Sequence, residues 1–251
     1  MTTSPADENP SYEIQGQTIA LPVEVRDAAG GVASFVVPSA IAQTLVGDAF
    51  EIAEFLPRRT LLMLACIDYK DNDLGDYNEV AVNFFVRTRG GARGIPYIGA
   101  FMDMGRGSLA AFSYKMPVNQ SFTCEAGSTI WGFPKTVERI DFDYGTEGRF
   151  GALLEMEGRK VFELSMQRGG DGARAEMALE SYSYIDGIPH TTPFVQTSSG
   201  MGIKLGGGGF SLSLGDHPLA ITLRELGLPK RPLMTMWTEK MVMQFGGARK
   251  L

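Results

Sequence analysis

The sequence predicts a mainly β fold: a β-rich α+β arrangement built on a closed antiparallel barrel or cone-like sheet, with a few flanking helices. Short apolar runs are bounded repeatedly by Gly, Pro, Asp and Asn, which is typical of strands and turns. Segments with helical periodicity are few. No repeat or long linker divides the 251 residues, and closure removes the exposed edges that many short strands create. We therefore expect a disordered tail at residues 1–12 and one domain at residues 13–251.

Predicted strands follow one another along most of the chain. Leu61–Ile67 is continuously apolar, which indicates burial on both faces. Tyr77–Arg87 instead alternates, which places Tyr77 and Glu79 on one face and apolar residues, beginning with Val80, on the other. The remaining predicted strands are Val32–Val37, Phe50–Leu56, Tyr97–Met104, Leu109–Lys115, residues 140–144, Leu153–Glu157, Val161–Met166, Met177–Tyr184 and Pro232–Phe245.

Three helices are predicted between these strands. Ser39–Val46 follows a proline, and Pro218–Gly227 begins with proline and ends with glycine, as helices often do. Val118–Ile130 has an apolar residue at every fourth position, so one stripe of it packs inward. Gly132 and Pro134 then end this helix.

Composition and charge exclude several classes of function. Asp and Glu outnumber Lys and Arg by 29 to 23, and no basic stripe is present, so nucleic acid is not an expected partner. No apolar stretch approaches about 18 residues, so a membrane is not expected either. Residues 1–10 are polar rather than signal-like, which favours a cytoplasmic location. The two cysteines, Cys66 and Cys124, cannot by themselves form a zinc site or a disulfide framework, and His190 and His217 lack a metal-ligand spacing.

One lysine stands in an unusual setting. Lys135 directly follows a predicted helix in the motif Ile130-Trp-Gly-Phe-Pro-Lys135, which is mostly apolar. If these side chains bury the amine, its ammonium form loses hydration and its pKa falls toward neutrality. A neutral amine attacks a ketone and forms a Schiff base. The alternative is a lysine on an exposed turn that keeps its charge in water.

Two motifs together resemble the acetoacetate decarboxylase family. They are Gly132-Phe-Pro-Lys135 after a helix and Leu74-Gly-x-Tyr77-x-Glu79 upstream, and the similarity runs from roughly residue 20 to the end of the chain. The resemblance implies that Lys135 forms a Schiff base with a keto acid. It also implies that Glu79 lies in the same pocket and assists proton transfer.

Further expectations follow from the same resemblance. Arg26, which matches an arginine of the family, would bind the substrate carboxylate. Tyr77 would donate a hydrogen bond from its hydroxyl, and Trp131 and Phe133 would line the substrate site. The family fold is a closed β structure around a cavity that excludes most solvent, and its members form homo-oligomers. Its chemistry needs no metal or organic cofactor, because the lysine iminium is the electron sink.

Two positions depart from the family pattern. Thr136 stands where acetoacetate decarboxylases usually carry a second lysine, so burial alone would have to lower the pKa of Lys135. Leu62 aligns with a pocket acid of the strand before the Leu74–Glu79 motif. Both departures make the site less polar than one built for acetoacetate.

Three functions therefore stay open. The first is decarboxylation of a β-keto acid that is larger and more apolar than acetoacetate. The second is an aldolase–dehydratase reaction, through the same lysine, between pyruvate or another keto acid and an aldehyde. The third is a small-molecule binding barrel in which the lysine is inert.

Overall fold

The computed structural model describes residues 10–90, 97–105, 109–146 and 148–251. The helices in these ranges are α1 (Ser39–Gln43), α2 (Ile98–Gly105), α3 (Ser121–Trp131) and α4 (Pro218–Glu225). The strands are β1 (Ser11–Ile14), β2 (Gln17–Ala20), β3 (Val23–Pro38), β4 (Phe50–Ile52), β5 (Arg59–Asn72), β6 (Tyr77–Thr88), β7 (Ala110–Val118), β8 (Lys135–Val137), β9 (Arg139–Asp143), β10 (Arg149–Met156), β11 (Arg159–Gln167), β12 (Ala175–Ile185), β13 (Ile188–Leu205), β14 (Ser211–Leu214), β15 (Met234–Phe245) and β16 (Arg249–Lys250).

Seven of these strands close into a barrel. Their order is β3, β5, β6, β7, β12, β13 and β15, and β15 pairs with β3 to complete the ring. Six seams are antiparallel, whereas β7 and β12 run parallel, with Ala111 opposite Ser181. The predicted closed, strand-dominated architecture is confirmed, and this single parallel seam is its departure from a wholly antiparallel barrel.

Alternation along β6 gives the barrel wall two different faces. Val80, Val82 and Phe84 are fully buried in an outer core shared with α4 and with a second sheet of strands β14, β11, β10 and β9. Tyr77 and Glu79 point instead into the barrel, where they line a cavity. The predicted division of this strand into an apolar face and a Tyr77–Glu79 face is confirmed.

A break in alternation on β15 changes which of its residues face inward. The sequence places Trp237 on the same face as Met241, Met243 and Phe245. The register between β15 and β3 shifts on either side of Met241. As a result, Trp237 is buried in the outer core while Met241 and Met243 line the cavity. A β-bulge explains the difference, because one extra residue reverses the faces beyond it.

Other sequence-based boundaries also change. Tyr97–Met104 was predicted as a strand, but Ile98–Gly105 forms α2, because a short apolar run has no period that separates a strand from a helix. The predicted end of the tail at residue 12 is wrong, since Ser11–Ile14 already pairs with β2. Residues 1–9 of that tail lie outside the described residues. The longest helix of the described ranges, α3, has 11 residues, and none there could cross a membrane.

Helix α4 begins with a histidine cap, which gives a test of the fold. The Nδ1 atom of His217 accepts a hydrogen bond of 3.1 Å from the backbone N–H of Leu219, and Pro218 occupies the first helical turn. We expect His217→Ala to lower the free energy of unfolding by about 1 kcal/mol, because the N–H loses its acceptor. His217→Asn restores an acceptor and is expected to recover most of this loss. Denaturant unfolding of the three proteins measures it, and equal losses in the two variants would contradict the capping role.

Candidate active site

The side chain of Lys135 is buried and paired with a buried acid. Its Nζ atom lies 2.8 Å from Oε2 of Glu79, and the two side chains are 3% and 5% exposed. Lys135 starts β8, which pairs in parallel with β7, while Glu79 lies on the inward face of β6 beside the same strand. Residues that are 56 positions apart in the chain are thus brought together by β7, which lies between their strands.

The end of helix α3 directs Lys135 into the barrel. Gln120 caps the start of the helix by accepting a hydrogen bond from the N–H of Thr123, and Gly132 ends it with a φ of 65°. A side chain at Gly132 would also overlap the carbonyl oxygen of Tyr184. Only glycine readily adopts this positive φ, and only glycine fits in so little space. The chain can therefore turn sharply here, so that Lys135 lies back along the helix. The predicted start of α3 at Val118 is wrong, since that residue is the last of β7.

Gly127 makes room for the lysine stem. A Cβ atom at this position of α3 would lie 2.6 Å from both Cδ and Cε of Lys135. No ordinary non-bonded contact is that short, so the lysine can cross the helix only where a side chain is missing. This close approach holds the amine against Glu79.

Two tyrosines and a threonine complete the surroundings of the amine. The Nζ atom of Lys135 lies 5.0 Å from the ring centre of Tyr77 and 3.5 Å from Oγ1 of Thr123, which is fully buried. Tyr69 stacks on Tyr77 with ring centres 4.5 Å apart. Sequence reasoning did not include Tyr69, because its strand was expected to end at Ile67. Continued alternation along β5 beyond Ile67 is the signal that identifies it.

The charge state of Lys135 differs from the sequence-based expectation. Burial, the largest single influence, lowers the pKa of its amine, but Glu79 and Tyr77 together raise it, and the net pKa lies above the ordinary lysine value. The expected lowered pKa is therefore wrong, because the sequence pattern shows the apolar wall but not the carboxylate within it. Burial raises the pKa of the Tyr69 and Tyr77 hydroxyls, so both stay protonated near neutral pH. The resting site is an ammonium–carboxylate pair between neutral phenols.

Lys135 lines a cavity of about 320 Å³ inside the barrel. Its walls are mostly aliphatic, aromatic and thioether side chains. Tyr77, Trp131 and Phe133, which the sequence analysis expects at a substrate site, are among them. The indole N–H of Trp131 donates a 2.8 Å hydrogen bond to the carbonyl oxygen of Gly246, and its ring lies 5.7 Å from that of Phe133. These contacts fix the aromatic wall next to the lysine.

Arg26 is not part of this cavity. Its guanidinium pairs with Asp71 at 2.8 Å and Asp73 at 2.6 Å, and its side chain is 45% exposed. Arg26 follows Val25 on β3. Because Val23 and Val25 face the cavity, alternation turns Arg26 outward. The structure therefore does not bring the predicted carboxylate-binding residue to Lys135.

The structure also locates Leu62 and Thr136, the two residues that depart from the family pattern. Leu62 is fully buried in the outer core and does not face the cavity. The inward positions of β5 around it are Met63, Ala65 and Ile67, so this strand supplies no acid next to the lysine. Thr136 is exposed. Among the described residues that line the cavity, Lys135 is the single cation.

The described residues offer few side chains that could hold a metal ion or another cofactor. The described residues contain no cluster of three or more His, Cys, Asp or Glu side chains that could hold a metal ion. Cys66 is buried in the outer core, which raises the pKa of its thiol to about 12, and Cys124 is half-buried on α3. Neither thiol lines the cavity. The chemistry that the site supports therefore centres on the amine, the carboxylate and the hydroxyls.

The family model for acetoacetate decarboxylase matches residues 9–249, which is nearly the whole chain. The chain belongs to the acetoacetate decarboxylase family. No curated protein matches it.

Solved structures related to this family share the fold. Acetoacetate decarboxylase from Legionella pneumophila superposes with a TM-score of 0.60 at 17% identity, over 99% of this chain and 92% of that one. The enduracididine biosynthesis enzyme MppR, complexed with pyruvate, gives a TM-score of 0.57 at 16% identity over 91% and 90% of the two chains. An acetoacetate decarboxylase-like enzyme from Sphingomonas wittichii gives 0.56 at 14% identity over 94% and 96%. At these identities the likeness establishes the fold, which agrees with membership of the family.

Gly127 gives a direct test of how the lysine is held. We expect Gly127→Ala to keep the helix, since alanine favours it by about 1 kcal/mol, but to displace the amine from Glu79. Trapping of acetoacetate on the protein with borohydride, followed by intact mass, should fall by about tenfold or more. Thr129→Ala, at an exposed position of the same helix, is the matched control. Wild-type trapping by the Gly127 variant would show that the close approach does not position the amine.

Proposed function

We propose that this protein is a Schiff-base lyase in which Lys135 forms an imine with a keto acid and Glu79 transfers the protons. The proposed reaction is decarboxylation of a β-keto acid that is larger and more apolar than acetoacetate. The observation that carries the proposal is the buried amine of Lys135, 2.8 Å from the carboxylate of Glu79, at the wall of an apolar cavity. Membership of a family of Schiff-base enzymes supports the same chemistry.

Imine formation begins with a proton transfer. The ammonium of Lys135 gives a proton to Glu79, and the free amine then adds to the ketone carbon. The carbonyl oxygen takes up two protons, one from the attacking nitrogen and one that comes from water by way of Tyr77, and it leaves as water, which produces the iminium. Tyr77 is placed to assist, because its ring centre lies 5.0 Å from the amine and its hydroxyl, whose pKa is raised by burial, can donate a proton to the departing oxygen.

The iminium then accepts the electrons released with carbon dioxide. The bond between the α-carbon and the carboxylate breaks, its electron pair moves into the iminium, and an enamine forms. Protonated Glu79 returns its proton to the enamine carbon, and water hydrolyses the resulting iminium to a ketone and the free lysine. One carboxyl group therefore serves as base before the bond breaks and as acid after it.

Size and polarity of the cavity favour a larger substrate. A volume of about 320 Å³ lies at the lower end of the range of roughly 300–1,000 Å³ for sites that enclose a drug-sized ligand, and acetoacetate has only four carbons. Apolar walls also suit a substrate whose charge is lost during the reaction, because carbon dioxide is neutral and needs less solvation than a carboxylate. With no second cation among the described lining residues, the substrate body has to orient the carboxylate.

Aldolase–dehydratase chemistry is the second candidate. The same iminium loses a proton to give an enamine, which can attack an aldehyde. MppR, which shares the fold, has been solved with pyruvate and with the condensation product of pyruvate and imidazole 4-carboxaldehyde. The absence of an acid on the inward face of β5 also favours this candidate. It predicts that pyruvate is trapped on Lys135 and consumed only when an aldehyde is present.

Removal of the amine tests the Schiff base itself. We expect Lys135→Met to abolish borohydride trapping of every keto acid, whereas Lys204→Ala, at an exposed lysine, traps normally. Because a carboxylate buried without its partner destabilises a fold, Lys135→Met combined with Glu79→Gln is the variant that keeps the site neutral. A folded double variant that still gains the mass of the adduct would show that another amine is the nucleophile.

The raised pKa of Lys135 predicts the pH dependence of imine formation. Below its pKa the amine is protonated and unreactive, so the rate of trapping by the wild type should keep rising through the alkaline range. Glu79→Gln removes a group that raises this pKa while burial still lowers it, so its trapping profile should shift to lower pH. Turnover of the same variant should fall by about 10² or more, because proton transfer to carbon is lost. Glu180→Gln, an exposed carboxylate of the cavity lining, is the control, and an unshifted profile for Glu79→Gln would contradict the pairing.

Release of carbon dioxide decides between the two reactions. We expect little or no decarboxylation of acetoacetate and faster release from longer, more apolar β-keto acids, because these fill the cavity. Turnover of acetoacetate in the ordinary enzyme range, about 1–10³ per second, would show that the apolar residues near the lysine do not affect the choice of substrate. Consumption of pyruvate together with an aldehyde, without release of carbon dioxide from any β-keto acid, would favour the second candidate.

A further inference from the structure

The cavity continues well beyond the Lys135–Glu79 pair. Alternate residues of β6 face the barrel interior from Tyr77 to Phe85, and all of them line the cavity. Asn83 lies four residues beyond Glu79 on this face. At about 3.3 Å per residue, roughly 13 Å of strand separates the two side chains.

The wall between them is apolar on adjoining strands. Ala65 pairs with Ala81, Val32 pairs with Ala65, and Met236 pairs with Val32, so these four residues lie at one level of the barrel. All four line the cavity. A ligand that reaches from Lys135 toward Asn83 therefore passes apolar side chains at this level.

Asn83 ends this apolar stretch with an unused acceptor. Its Oδ1 atom is buried and has no hydrogen-bond partner. Its neighbours across the two adjoining strands are Met63 on β5 and Ser113 on β7, and both line the cavity. Buried polar groups are nearly always hydrogen-bonded, so an unpaired oxygen on a cavity wall indicates a place for a ligand donor.

We propose that Asn83 determines substrate specificity by accepting a hydrogen bond from a donor group at the distal end of the substrate. The chemical class is a keto acid whose apolar body spans roughly 13 Å and ends in a hydroxyl or another group with a polar hydrogen. A donor is required because an amide oxygen only accepts. Ser113, directly opposite, adds a hydroxyl that can accept or donate beside the same group. This inference rests on the proposed imine at Lys135, which fixes the other end of the substrate.

Matched ligands test the subsite without requiring the reaction. The probes are 3-hydroxy acids, which cannot form an imine, with chains whose lengths bracket roughly 13 Å. Each length is prepared with a terminal hydroxyl, a terminal methyl and a terminal methyl ether. Titration calorimetry should show that the hydroxyl form binds at least tenfold more tightly than the other two at one chain length.

Two variants assign this preference to Asn83. Asn83→Leu keeps a similar volume and should bring the affinities of the three ligands to within about twofold of one another. Gln196→Leu changes another cavity amide, which is already hydrogen-bonded to Ser198, and should leave the preference intact. If Asn83→Leu does not fold, the wild-type comparison still decides: equal binding of the three ligands, or tighter binding of the methyl ether, overturns the proposal.

The corresponding β-keto acids separate the two proposals. Preferred binding of the hydroxyl form without any borohydride adduct would overturn the imine at Lys135 and leave the distal subsite standing. Adducts that form equally well with the hydroxyl and methyl chains, together with equal affinities for the 3-hydroxy acids, would overturn the subsite and leave the imine standing. A wild-type preference that survives in Asn83→Leu would also overturn the role of Asn83.

Discussion

The ion pair between Lys135 and Glu79 is the interaction on which the rest of the site depends. Removing two charges from water is costly, and their attraction offsets that cost only when the geometry is close and other polar groups assist. Here the two atoms are 2.8 Å apart, with Tyr77 and Thr123 beside the amine. The missing side chain of Gly127 lets the lysine stem lie against α3. The fold thus holds the amine in a stable charged form, with the carboxylate of Glu79 in contact with it.

This pairing changes how the amine would be activated in the proposed reaction. A lysine surrounded only by apolar groups would be neutral before the substrate arrives, whereas Lys135 is charged until Glu79 takes its proton. In the proposed reaction the carboxylate therefore takes part in the activation of the amine as well as in proton transfer at carbon. Entry of an apolar substrate excludes water from the pair, and transfer of the proton to Glu79 leaves two neutral groups, which an apolar cavity favours over two charges.

The strand β6 connects this chemistry to the stability of the fold. Its outward residues belong to the core that joins the barrel to the second sheet, and its inward residues form one wall of the cavity. Fixed outward packing leaves the strand no freedom to slip, because a shift by one residue would exchange the two faces. Glu79 and Asn83 consequently keep a fixed separation along the barrel, which the proposed contact of Asn83 with the distal end of the substrate requires.

The sequence by itself determined the β-rich class, the Tyr77–Glu79 face of β6 and the apolar setting of Lys135, because alternation and the Gly-Phe-Pro-Lys motif are local patterns. Long-range packing decided the rest. The bulge on β15 turned Trp237 away from Met241, the pairs with Asp71 and Asp73 hold Arg26 at the surface, and Tyr69 joined the site through a strand longer than predicted. The charge state of Lys135 was also a tertiary outcome. The sequence shows the apolar residues that would neutralise the amine, but only the barrel brings the carboxylate of Glu79 against it and raises its pKa.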